Sequence, residues 1–162
     1  MDFFLKQFWL FFVIATTLNA ILLKGRSIKY IKENPELKTG YEKLFRSILI
    51  YGNIPWIIIG FGNITSITQS VFDYFNPKSL NPIVLIFHAS IIILWILSLN
   101  WIYNKQGAEF LEKHPGLINL KGFGSKKNNL TAEHIKIFFP FMLLGGIIGM
   151  ILMWTGSIPN IQ

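Results

Sequence analysis

Pro82-Ile-Val-Leu-Ile-Phe-His-Ala-Ser-Ile-Ile-Ile-Leu-Trp-Ile-Leu-Ser-Leu-Asn-Trp-Ile-Tyr103 contains no charged residue. A helix rises about 1.5 Å per residue, so this stretch is long enough to cross roughly 30 Å of hydrocarbon. Backbone polar groups in lipid must be satisfied within the segment, which makes a helix its expected form. Residues 3–23, 48–67 and 135–154 are comparably long and apolar. The expected fold is therefore an all-α membrane protein with four transmembrane helices, residues 1–162 forming one domain. A soluble domain of this length would not be 52% hydrophobic and only 14% charged. Nor do the four segments carry the charged faces that helices of a soluble bundle need.

The charges between these segments predict an orientation. Residues 24–46 and 104–136 hold thirteen of the fifteen Lys and Arg residues. The other two, Lys6 and Lys78, each have an acid nearby, Asp2 and Asp73. Loops rich in Lys and Arg stay in the cytoplasm, which puts both basic loops inside and both termini outside. The first segment differs from a cleaved signal peptide: Asp2 offsets Lys6, and Lys24, Arg26, Lys29 and Lys32 follow in place of a small-residue cleavage site. The net charge of +7 is explained by membrane-facing loops and requires no nucleic acid. The expected partners are the lipid bilayer and either copies of this chain or other membrane proteins. With no cysteine, disulfides, thiolate metal sites and a cysteine nucleophile are excluded. The Ile, Asn and Lys bias looks like that of an AT-rich bacterial genome, and the expected location is a bacterial inner (plasma) membrane.

The two halves resemble each other. Thr17-Leu18-Asn19-Ala20-Ile21 aligns with Ser98-Leu99-Asn100-Trp101-Ile102, and Asn34-Pro35-Glu36-Leu37 with His114-Pro115-Gly116-Leu117. Pro55-Trp56 with Gly60 aligns with Pro140-Phe141 and Gly145, after an extra Gly/Lys/Asn tract at 121–129. An internal duplication of 3–66 onto 82–156 predicts two parallel-repeat helical hairpins in one bundle, related by an axis along the membrane normal.

Local signals place helix ends. Proline suits the first turn of a helix, and the residue before it is pushed out of helical geometry. Asn34-Pro35 thus predicts that the first helix runs to Glu33, and His114-Pro115 that the third runs to Lys113. Asn81-Pro82 opens the third span. Pro55 and Pro140 are expected to interrupt the second and fourth spans as matched kinks. Leu37, Tyr41, Leu44, Phe45 and Ile48 form an apolar stripe on the returning helix. The connector 69–81 places Phe72, Tyr74 and Phe75 at headgroup level, and Trp9, Trp154, Trp101 and Tyr103 form two aromatic belts.

Candidate sites are few. Asn19 and Asn100 occupy matching depths, and Gln7 matches His88 at an offset of 81. Intramembrane amides usually hydrogen-bond a neighbouring helix, worth roughly 0.6–2 kcal/mol. A lone intramembrane His is a functional candidate by default. Gly145 and Gly149, and Gly60 with Gly62, are candidate helix-packing positions, because small residues let helices approach. Gly60-Phe61-Gly62-Asn63 has the look of a potassium filter, but Ile58 stands where a threonine is needed. Asn63-Ile64-Thr65 and Asn129-Leu130-Thr131 match the glycosylation pattern by chance. No nucleophile–base pair, phosphate loop or metal motif occurs, so no catalytic residue, cofactor or metal is assigned and no enzyme is expected.

Asn34-Pro35-Glu36-Leu37 with Gly40-Tyr41, Asn53-Ile54-Pro55-Trp56, and Gly107-Ala108-Glu109 with His114-Pro115-Gly116 resemble a family of small, uncharacterised bacterial four-span inner-membrane proteins. The resemblance covers most of the chain. It implies four spans and carries no assigned activity. The expected role is a non-catalytic structural or accessory subunit of a membrane assembly; the alternative is a small oligomeric channel or carrier for an ion or small solute.

Overall fold

The computed structural model describes residues 2–116 and 131–156, with side chains from residue 6 onward. The tract 121–129, Ser125 and the tail beyond Gly156 lie outside the described residues. Every described element is helical, and four stretches are long and apolar enough to cross a membrane: Lys6–Glu33, Pro35–Ile64, Pro82–Asn104 and Ala132–Thr155.

Helix α1 (Asp2–Glu33) spans 32 residues, about 48 Å at 1.5 Å per residue and well beyond the hydrocarbon thickness. It ends at Asn34, whose backbone is extended and whose Oδ1 accepts from Glu36 N–H at 3.2 Å. A 3-10 turn (Pro35–Leu37) then leads into α2 (Lys38–Tyr51). The apolar stripe of α2 packs as its spacing implies. Tyr41 and Phe45 are buried with Leu23 of α1, and Tyr30, Ile31, Leu37 and Ile48 close around them.

The second span does not kink at Pro55; it breaks one turn earlier. Helix α2 stops at Tyr51, and α3 (Ile54–Ile64) starts afresh with Pro55 in its first turn. A first-turn N–H has no helical partner, so proline costs nothing there. Buried Asn53 anchors the break by donating Nδ2–H to Leu49 O at 2.8 Å. Pro140 behaves differently, lying inside the unbroken α6 (Ala132–Thr155). Proline there deprives the carbonyl four residues back of its N–H. That carbonyl belongs to Lys136, and Tyr103 Oη–H donates to it instead at 2.6 Å.

The third helix also differs from expectation. Helix α4 (Pro82–Asn104), capped by Asn81 Oδ1 on Ile83 N–H at 3.0 Å, ends short of Lys113. Gln106 adopts a left-handed φ of 56°, and a separate short helix α5 (Gly107–Lys113) follows. Gly107 sits against Trp101, where a Cβ would lie 2.6 Å from the indole.

Helix α1 packs along α2 and α3, α3 meets α4, and α4 meets α5 and α6. At the basic end there are two separate cores: one around Tyr41, the other formed by Ile102, Ala108 and Ile135. At the opposite end Ile59, Val71, Tyr74 and Val84 form a third core, which Trp9, Trp56 and Phe87 flank. The connector is two 3-10 turns, Val71–Phe75 and Pro77–Ser79, the first held by a Ser70/Asp73 capping box. Phe72 and Phe75 are exposed as a headgroup position requires, but Tyr74 is only 2% exposed and points inward.

Candidate functional site

The connector end carries a chain of buried polar side chains that touches all four spans. The last turn of α3 presents Asn63, 3% exposed, toward α1. Asn63 Nδ2–H donates to the carbonyl of Lys6 at 3.0 Å. Thr68 Oγ1–H donates to Asn63 Oδ1 at 2.7 Å. That commits the only hydroxyl hydrogen of Thr68, leaving its oxygen to accept from Tyr74 Oη at 3.2 Å. Tyr74 Oη also lies 3.3 Å from the carbonyl of Ile59.

His88 continues the chain across α4. Its Nε2 lies 2.9 Å from the carbonyl of Tyr74, and a carbonyl can only accept, so Nε2 carries the hydrogen. Nδ1 is then the acceptor, and Trp154 Nε1–H of α6 supplies the donor at 3.2 Å. Met150 Sδ rests against the same nitrogen at 2.8 Å. Both ring nitrogens of a neutral imidazole are therefore used. Lys78 closes the end by donating Nζ–H to the carbonyls of Thr155 and Gly156 at 3.0 and 3.2 Å. A cation is favourable at that helix terminus, where the final carbonyls lack partners. Asp73 does not pair with Lys78 as its position in the sequence suggests; its Oδ2 accepts from Gln69 N–H at 2.6 Å.

Two glycines make this packing possible. A Cβ at Gly60 would lie 2.6 Å from the Trp9 ring. One at Gly62 would overlap Tyr74 Oη and approach Ile83 and Thr68 at 2.8 Å. Both lie within helical α3, so Gly60–Asn63 is no carbonyl-lined filter. Gly145 and Gly149 are the opposite case: an added Cβ on either meets nothing within 4 Å. Their neighbour Gly146 is the residue that receives a side chain, with Trp95 at 2.8 Å.

The other sequence candidates remain apart. Asn19 is exposed on α1, and Asn100 is exposed on α4, where its Oδ1 accepts from Asn104 Nδ2–H at 3.0 Å. Gln7 is half-buried, whereas His88 is 2% exposed. His134 belongs to the Thr131 cap of α6. Among the described residues no three His, Cys, Asp or Glu side chains gather as a metal site.

The basic end has its own contact between loops. Tyr41 Oη–H donates to the carbonyl of Pro115 at 2.7 Å, and His114 Nδ1–H donates to that of Phe110 at 2.7 Å. The His114 ring stacks on Phe110 and fills the space above Gly40, where any Cβ would overlap it. Glu109 of α5 pairs with Lys136 of α6. The Lys136 hydrogen bond, then a backbone one, hold the Glu109 carboxyl below its usual range.

No protein-family model, curated protein or solved structure matches the chain. Geometry alone must therefore indicate a role. In the connector-end chain each hydrogen bond has a structural use, no carboxylate takes part, and the imidazole is neutral and occupied. This arrangement ties helices together. Sequence reasoning singled out His88 but missed Asn63, Thr68, Tyr74 and Trp154. An Asn inside an otherwise apolar segment was the available signal at position 63.

Proposed function

We propose that this chain is a non-catalytic structural or accessory subunit of a membrane assembly, docking through the open face of α6. One observation carries the reading. The apolar window of α6 has 0% of its residues buried within the chain, although α6 is fastened at both ends. Lys136 holds one end to Glu109, and Trp154 with Lys78 holds the other. Gly145 and Gly149 lie on this open face. Packing drives helix association once water is absent, so a flat apolar face in lipid favours another helix. The partner in the simplest case is a second copy. The bonds of Asn63 to α1 and of His88 to the connector and α6 tie the spans together at that level, which favours docking over a channel or carrier.

In this reading the chain sits in a bacterial inner membrane with residues 24–46 and 104–136 in the cytoplasm and both termini outside. It belongs with the small four-span proteins it resembles, and its halves, 3–66 and 82–156, arose by duplication. The unequal settings of Pro55 and Pro140, and of Gln7 and His88, are then divergence after that event.

The absence of cysteine makes the orientation directly testable. In intact cells Ser79→Cys should react with an impermeant thiol reagent and Ser125→Cys should be shielded; the reverse pattern overturns the orientation. For assembly, Gly149→Leu should shift the detergent-solubilised protein to a smaller species by light scattering. The monomer should not lose thermal stability, because a Cβ added at Gly149 meets nothing within 4 Å in its own chain. An unaltered oligomer would overturn docking through this face.

A further inference from the structure

The halves meet at the connector end, and again at the basic end through Tyr41 with Pro115 and Gly40 with His114. Between α2 on one side and α4 with α5 on the other lies a cleft of about 880 Å³. Its walls are mostly apolar: Leu44 and Ile48 from α2, Leu94, Leu97 and Trp101 from α4, and Phe110 from α5, with Ser47 and Ser98 also lining it. Lys43, Lys105 and Lys113 stand at its mouth. All three are exposed, and among the described residues none is paired with a carboxylate. Glu109 also borders the cleft, but Lys136 of α6 already takes its charge.

From Lys105 to Leu94 the cleft follows α4 for three turns, about 16 Å of helix. It thus joins a cationic mouth at the membrane surface to an apolar slot within the hydrocarbon. We infer that the cleft binds one anionic diacyl phospholipid, its phosphate among Lys43, Lys105 and Lys113 and an acyl chain along Leu94, Leu97 and Ile48. The cationic mouth selects against a zwitterionic headgroup, because three unpaired ammonium groups attract a net negative charge. The apolar slot selects against a free phosphate, which would leave these walls facing water. The site lies on a different helix pair from the open face of α6. It therefore requires a membrane location but neither the docking role nor a particular orientation.

The test is a lipid titration of the full chain in neutral detergent, read by native mass spectrometry. The probes are phosphatidylglycerol, phosphatidylcholine with the same acyl chains, and glycerol phosphate. Phosphatidylglycerol should give a one-to-one adduct more tightly than phosphatidylcholine, and glycerol phosphate should give none. Replacing Lys43, Lys105 and Lys113 together by Gln should weaken phosphatidylglycerol about a hundredfold and leave phosphatidylcholine unchanged. The matching Arg triple should retain the adduct, which separates lost charge from lost folding. Leu97→Trp, which fills the slot, should weaken both lipids with all three lysines intact. Equal affinity for the two lipids, tight binding of glycerol phosphate, or an undiminished adduct in the Gln triple would overturn the assignment. So would cross-linking of Leu97→Cys to its own copy, which would make the cleft a protein interface.

Discussion

Gly62→Val should lower the stability of the detergent-solubilised protein by about 3 kcal/mol or more. The added Cβ overlaps Tyr74 Oη and comes within 2.8 Å of Ile83 and Thr68. Overpacking a filled site costs about 1–3 kcal/mol. Here Tyr74 must move as well, and its hydroxyl is bonded to Thr68, which is bonded to Asn63. Leaving a buried donor or acceptor unsatisfied costs a further 1–3 kcal/mol or so. Gly145→Val is the control, because a Cβ added there meets nothing within 4 Å. A melt series in detergent should show a large loss for the first variant and little change in the monomer for the second. Equal behaviour of the two would mean that the connector-end network does not hold the spans together.

Gly40→Val should open the basic end and leave the other end intact. Gly40 lies within contact distance of the His114 ring, so the valine must displace His114 from its stack on Phe110. The loss should be about 2 kcal/mol. Replacing a helical glycine also gains up to about 1 kcal/mol of propensity, which is why the bulkier valine is the decisive choice over alanine. Trypsin should cut after Lys113 several-fold faster, since the burial of His114 and the Tyr41–Pro115 hydrogen bond protect that bond. A cleavage rate equal to that of the parent protein would show that this contact does not join the two basic loops.

The helix boundaries were legible wherever residue chemistry acts locally. Asn34-Pro35 and Asn81-Pro82 combine a capping amide with a ring that cannot continue the preceding helix, and both mark observed boundaries. The break at Gln106 was not legible, because a long polar side chain rarely takes a left-handed φ. The next residue, Gly107, lies against Trp101, a contact made only in three dimensions. The same limit explains Tyr74. An aromatic in an external connector suits the headgroup region, but its hydroxyl partners on Thr68 and α3 come together only through folding. The glycines make the point most clearly. Gly60 with Gly62 and Gly145 with Gly149 present the same small-residue signal, yet one pair meets Trp9 and Tyr74 and the other meets nothing. Spacing shows that a close approach is possible; the rest of the chain determines what approaches.

The order of contacts along the chain has a kinetic consequence. Helix α2 packs on α1, α3 on α1, α4 on α3, α5 on α4, and α6 on α5 and α4. Nearly every element finds its partner among those synthesised before it, an arrangement with little loop-closure entropy to overcome. The polypeptide can therefore assemble as it emerges, each new segment joining a platform that is already in place. His88, like Tyr41 and Lys78, has a partner that comes much later. Its Nε2 is satisfied as soon as α4 meets the connector, but its Nδ1 waits for Trp154, near the end of the last helix. That imidazole registers the arrival of α6: until then, a buried acceptor inside the bundle stands without its donor.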